Sequence, residues 1–160
     1  GCVAHGDENG VTLFLEALLM ALNGVASRKV NVKEWRVRTG LLVEGINAAL
    51  DYLSVREGAP QQISYSEGSG AGSALHRVTG KPQVIFKVRV LNGCATPLPQ
   101  LALSVGGKVQ YSGTCDSQMR FWQVVAGDAY DMAVKSSTQS LVRAISALPP
   151  PEVFEDVELA

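Results

Sequence analysis

Few side chains in this 160-residue sequence have the types and spacing that chemistry needs. The run Gly68-Ser69-Gly70-Ala71-Gly72-Ser73 has glycines close enough together for backbone amides to approach a phosphate. A dinucleotide loop requires Gly-x-Gly-x-x-Gly between a strand and a helix, and a nucleotide-triphosphate loop requires Gly-Lys followed by Ser or Thr. Neither pattern is met, so the run reads as a flexible link. Zinc would need Cys94, Cys115 and His76 to gather, yet none of them has the Cys-x-x-Cys or His-x-x-x-His spacing of a ligand pair. Acyl transfer would need a Gly-x-Ser-x-Gly elbow, which is missing. The carboxylates Asp116, Asp128 and Asp131 sit in turn-like contexts rather than as an acid/base pair. With no assembled nucleophile, acid or base, the sequence points to a noncatalytic chain with no cofactor and no metal.

The residues suited to binding are clearer. Trp122 alternates with Phe121 and shares its strand face with Arg120 and Val124. Together with Tyr111 it either faces outward as an anchor for a partner peptide or docks on the chain's own helices. In the tail, Phe154 and Val157 alternate with acids after Pro149-Pro150-Pro151, the pattern of a segment that adds a strand or helix to another protein. Arg28, Lys29, Lys33, Arg36 and Arg38 surround Trp35, and a nucleic-acid or lipid surface would use such a cluster. Trp35 falls on an apolar helical seam, however, and Glu34 dilutes the charge, so the cluster reads as a solvated face. Partners are therefore expected to be other protein subunits or short peptide motifs, with no nucleic acid.

Overall charge supports that choice. Fourteen Lys and Arg against fifteen Asp and Glu leave a net charge of −1, which creates no general field for a polyanion. The balance hides unlike segments: residues 1–60 hold six bases and seven acids, 61–148 hold eight and four, and 149–160 hold four acids and no base. The chain is 46% hydrophobic and 18% charged, enough apolar surface for about one domain's core. A membrane helix needs about 20 apolar residues. The run over 11–22 is interrupted by Glu16 and then by Asn23, Arg28 and Lys29, so no membrane span is expected. An acidic leader without Lys or Arg argues against a signal peptide. Three cysteines suit free thiols and a cytoplasmic or intracellular site; a Cys94–Cys115 bridge would place the protein outside the cell.

The elements that position these residues divide into a helical part and a β part. Residues 11–26 read as a largely buried helix stopped near Asn23-Gly24. Over 31–55, Val32, Trp35, Thr39, Leu42, Ile46, Ala49 and Leu53 recur at spacings of three and four, a helical seam with Asn31 and Glu34 as a capping pair and Gly58 with Pro60 as the stop. A short strand from Val30 to Val37 is the alternative for its start. Gly40 and Gly45 weaken that helix or else permit close backbone approach. These two segments are expected to form a helical hairpin over 1–60, joined by a Gly/Ser linker over 61–82 to a small antiparallel β-sandwich over 83–148, with an acidic tail over 149–160. The fold class is α+β. Within the sandwich, Gly106-Gly107 and Gly127-Asp128 each read as a tight hairpin turn, and 141–148 as a strand or a short helix.

The stretches Val84-Ile85-Phe86-Lys87-Val88-Arg89-Val90-Leu91-Asn92 and Pro97-Leu98-Pro99-Gln100-Leu101-Ala102-Leu103, following a helical segment, resemble the immunoglobulin-like ear or appendage modules of adaptin-type coat and cargo-adaptor complexes. The resemblance implies a scaffold or protein-transport subunit that recruits short peptides or packs within a larger assembly. No binding residue carries over from it. A second stretch, Gly10-Val11-Thr12-Leu13-Phe14-Leu15-Glu16, with a helix ending in Ala49-Leu50-Asp51-Tyr52, is similar to pilin-like filament subunits and implies the extracellular alternative.

Overall fold

Thr12 Oγ1 accepts the Leu15 amide at 3.2 Å and so caps α1 (Leu13–Met20). In the computed structural model, which describes residues 12–64, 72–91, 97–115, 120–146 and 151–159, the last turn of α1 widens into a π-type turn over Ala21–Val25. Gly24 breaks it with φ +136°, and a Cβ there would lie 2.6 Å from Pro82 Cβ. Only glycine satisfies both conditions.

The chain then makes two strands, β1 (Ser27–Asn31) and β2 (Glu34–Arg38), before α2 (Thr39–Glu57). The expected helical hairpin is thereby corrected: a β-hairpin separates the helices, and the long helix of the pilin comparison starts only at Thr39. Asn31 and Glu34, read as a helix cap, close the strand turn instead. Asn31 Oδ1 accepts the Lys33 amide at 3.0 Å while its Nδ2 donates to Glu34 Oε2 at 3.1 Å. An Asn side chain serves a cap or an Asx turn equally well. Trp35 and Val37, two apart, are both buried, whereas Val32 is 85% exposed, so period two prevails over the helical period. Thr39 is exposed, but from Leu42 onward the seam holds: Leu42 is partly buried, Ile46, Ala49 and Leu53 are buried with Leu13, Ala17 and Ala21 in one cluster, and α1 packs on α2. Gly58, at φ +62°, ends α2 in the left-handed conformation.

Part of the expected linker is structured. Asn47 fastens Ser64 with two hydrogen bonds of 3.1 and 2.7 Å, and Arg38 donates to the Gly72 carbonyl at 2.7 and 3.2 Å. β3 (Ala74–Val78) then pairs with β2 to give a sheet of order β1-β2-β3. Residues 65–71, which hold most of the Gly/Ser run, lie outside the described residues.

The remaining strands are β4 (Gln83–Val90), β5 (Gln100–Val105), β6 (Lys108–Thr114), β7 (Arg120–Val125), β8 (Ala129–Lys135), β9 (Ser140–Ser146) and β10 (Glu152–Val157). They form sheets of order β10-β4-β7 and β6-β5-β8-β9 that share one core, to which β4 gives Val84, Phe86 and Val88, β5 gives Leu101 and Leu103, and β8 gives Tyr130, Met132 and Val134. Gly106 and Gly107 both have positive φ, as the primed turn between β5 and β6 requires. The second expected hairpin is different. Gly127-Asp128 carries the chain from β7 in one sheet to β8 in the other, held by a Lys81–Asp128 ion pair and a 3.0 Å bond from the Val125 amide to the Tyr130 hydroxyl. A tight turn sets a reversal without choosing which strands pair. Residues 140–146 are strand, and the first and second strands of the set, β4 and β5, lie in different sheets. An immunoglobulin sheet pairs those two, so that topology is not reproduced.

The tail is also corrected. β10 runs parallel to β4, and Val157 and Leu159 are buried in the core. The acidic segment completes the chain's own sheet.

One substitution checks the helix-to-turn packing. A Cβ at Gly45 would lie 2.7 Å from Ala26 Cβ and 3.0 Å from its backbone. Gly45→Ala is expected to lose about 1 kcal/mol net, because overpacking of roughly 1–3 kcal/mol outweighs a helix-propensity gain near 1 kcal/mol. The urea midpoint of unfolding reads this directly; a midpoint at or above the wild type would contradict the close approach.

Candidate interaction surfaces

Strand pairing decides where the expected anchor residues face. Trp122 stands opposite Phe86, the two rings 6.4 Å apart, so Arg120, Trp122 and Val124 belong to the side of β7 that faces the core. The alternation was read correctly and the face reversed. Phe121, opposite Lys87, is the residue that meets the helices. Tyr111 is half-buried against the core, and burial raises its phenol above the ordinary tyrosine value. Val157 is fully buried and cannot engage a partner. Phe154 stays 46% exposed, with the Arg89 guanidinium 5.7 Å from its ring. Cys115 is buried, Arg120 is half-buried, and Cys94 lies outside the described residues.

The outer face of β4 holds what spacing did not reveal. Ile85 and Lys87, which alternate with the core-facing Val84, Phe86 and Val88, are covered by the helical layer: Ile85 packs with Val25 and Ala48, and Lys87 is 8% exposed. Lys87 Nζ lies 2.9 Å from Asp51 Oδ2 on α2 and 2.6 Å from Glu152 Oε2 on β10, with its charge 5.5 Å from the Phe121 ring centroid. Burial alone would lower the ammonium pKa, but hydrogen bonds to Glu152 and Asp51 outweigh it and hold Lys87 above the ordinary lysine value. A lysine held protonated cannot serve as a base or amine nucleophile. An open cleft of about 410 Å³ beside it is lined by Asp51, Ser54, Val55, Gln61 and Phe121. No sequence signal linked residues 51, 87 and 152; the helices' need for a surface was the nearest hint.

The small sheet is a second candidate. Trp35, Val37 and Val78 face the helices, so Trp35 is core, as its apolar seam implied, though on a strand. On the opposite face, register aligns Arg28, Arg36 and Arg77 in one row across the three strands. The two hairpin strands with their turn, together with β3, carry six Lys and Arg, and Glu34 is the one Asp or Glu among them. Glu34 pairs with Arg36 at 2.6 Å, which with Asn31 holds its carboxyl below the ordinary glutamate value.

These surfaces belong to an α+β chain in which a helical layer joins two β-sheets to a smaller basic sheet. Neither family models nor curated proteins give a match to it. Among the described residues, no helix is long and apolar enough to cross a membrane.

The pH dependence of stability follows from the ion pairs. The folded pKa of Lys87 is raised above 10.5, so its contribution is complete below that pH and lost as pH climbs through the folded value. Asp156, held below 3.8 by its hydrogen bonds from Arg89, contributes above 3.8 and is lost as pH falls through its lower folded value. Tyr111 and Tyr130, both raised, add to the alkaline limb. Lys87→Met should therefore flatten the fall in melting temperature above pH 10.5 relative to wild type while leaving the acid limb in place. Identical alkaline limbs would show that the pair carries no linkage. Lys87→Ala, which strands two carboxylates, should cost about 2–4 kcal/mol at neutral pH.

Proposed function

We propose that this chain is a noncatalytic protein-interaction subunit that packs into a larger assembly. The observation that carries the reading is the outer flank of α1, where Phe14, Leu15 and Leu19 are 43%, 44% and 49% exposed. Leu18 and Leu22, partly buried, continue the same stripe at helical spacing. Large apolar side chains gathered on one helix flank mark a surface that another protein covers. The cleft beside Lys87 supports the same reading, because its lysine is held as a paired cation that ties two layers together. The resemblance of the stretches over 84–92 and 97–103 to appendage modules favours the setting of a coat or cargo-adaptor complex, in which a β-rich module recruits peptides or packs against other subunits, although the strand order departs from the immunoglobulin one.

The test pairs Phe14→Glu and Leu19→Glu in one variant. Affinity capture of the native protein should bring down stoichiometric protein partners, and the variant, folded by circular dichroism, should lose them at least about tenfold. A wild-type protein that runs alone as a monomer would sink the reading.

A further inference from the structure

We propose that the β1 edge of the small sheet binds an extended acidic segment of another protein, one that alternates Asp or Glu with apolar residues and adds as a fourth strand. The proposal deepens the interaction reading and rests on it, but uses a different surface from α1.

Three observations converge on this occupant. The first is the arginine row: Arg28, Arg36 and Arg77 stand directly opposite one another, and like charges in cross-strand register destabilise a sheet. Glu34 offsets only part of that repulsion. Carboxylates arriving on this face would relieve it, and guanidinium groups match them in bidentate geometry. The second is the edge. In the order β1-β2-β3, β1 is terminal, with a row of backbone groups turned away from β2. An added strand presents alternate side chains to opposite faces. If its acids meet the arginine row, its apolar residues fall on the other side, where a cleft of about 440 Å³ is floored by Val32, Trp35, Gly80, Ala126 and Gly127 and flanked by Lys29, Lys33 and Lys81. Val32, 85% exposed at that rim, is free to pack on an apolar side chain of the added strand.

The third is a precedent inside the molecule. β10 is itself a strand of interspersed acidic and apolar residues, and it adds to β4 with Glu152 on Lys87 and Asp156 on Arg89 from one face and Glu155 on Arg143 of β9 from the other. The same chemistry that closes β4 is laid out on β1 with the acidic half missing. The chain's own β10 is already engaged, so the segment comes from another protein. Trp35 is buried at 3% exposure and offers no stacking platform, which separates this surface from a single-stranded nucleic-acid site.

Fluorescence anisotropy with a labelled Glu-Val repeat peptide tests the proposal, with a Gln-Val repeat and labelled oligo-dT as comparison probes. The Glu-Val peptide should bind, weaken as salt rises, and bind at least about tenfold more weakly to the triple variant Arg28→Gln, Arg36→Gln, Arg77→Gln. Lys108→Gln with Lys135→Gln, distant in the other sheet, should bind as wild type does. The triple variant relieves like-charge repulsion and should melt no lower than wild type; the corresponding Arg→Lys triple, keeping charge and losing the guanidinium fork, should fall between the two. Equal binding of Glu-Val and Gln-Val peptides, or equal losses in both sets of variants, would overturn the proposal. So would tighter binding of oligo-dT through the same arginines, or a dimer of the free protein that the triple variant abolishes. Failure here with α1-dependent capture intact would leave the interaction reading standing, whereas loss of both would remove it.

Discussion

One lysine constrains the arrangement of three layers. β4 is buried on both faces, and Lys87 is the charged side chain that its outer face must accommodate. Withdrawing an ammonium from water costs several kcal/mol unless carboxylates and good geometry offset it. Asp51 supplies one from α2 and Glu152 the other from β10, so the position of the helix over the sheet and the register of the last strand answer to the same atom. Ile85, two residues before it on the same face of β4, packs against Val25 and Ala48, adding apolar contact to the same helix. A buried pair of this kind contributes more to orientation than to net stability, since much of its attraction is consumed by desolvation.

Charge is apportioned along the chain in a way that the total conceals. Three of the tail's four acids, Glu152, Asp156 and Glu155, meet Lys87, Arg89 and Arg143, so the β-rich body neutralises much of its own last strand. At the surface these pairs are worth little singly, but they are distributed along one strand and all favour the same register. The first half follows a different rule. Its acids Glu16 and Glu57 bridge to Arg56 at the helices, leaving the hairpin strands with a basic excess. Near-neutrality is thus the sum of a basic small sheet, with six bases and one acid, and an acidic remainder, with eight bases and fourteen acids.

What could be read from the residues was local. Gly106-Gly107, at φ +56° and +78°, announced the β5–β6 turn, Gly58 announced the end of α2, and the seam from Leu42 to Leu53 marked the buried face of that helix. What failed was everything that depends on distant partners. Asn31 and Glu34 have the chemistry of a cap and of a strand turn, and only the burial of Trp35 and Val37 against the helices separates the two. Gly127 makes the same tight turn whether it joins paired strands or strands of different sheets. Alternation located Phe121 and Trp122 on opposite faces, yet which face met the core depended on the pairing of Phe86 with Trp122. The tail's pattern identified a segment seeking a sheet edge without saying whose edge. Of the candidate surfaces, the basic cluster was visible as composition, whereas its alignment into a row required the register of three strands.

Two strands of this fold, β4 and β1, have their edges managed in opposite ways, and the contrast explains the chemistry of the small sheet. An unprotected edge invites indiscriminate pairing, which proteins prevent by covering the edge or charging it. β4 would be an edge of its sheet and is covered by β10, with Val157 driven into the core. β1 is charged instead, through Arg28 and Lys29. Such charge repels another copy of the same basic edge and imposes desolvation on any neutral strand, so it acts as protection against most sequences. The exception is a strand that brings carboxylates, for which the protecting charge becomes the attraction. Protection and selectivity are then one property of the same arginine row, and an edge guarded this way stays open only to the acidic class of segment that the chain has already used to close its other sheet.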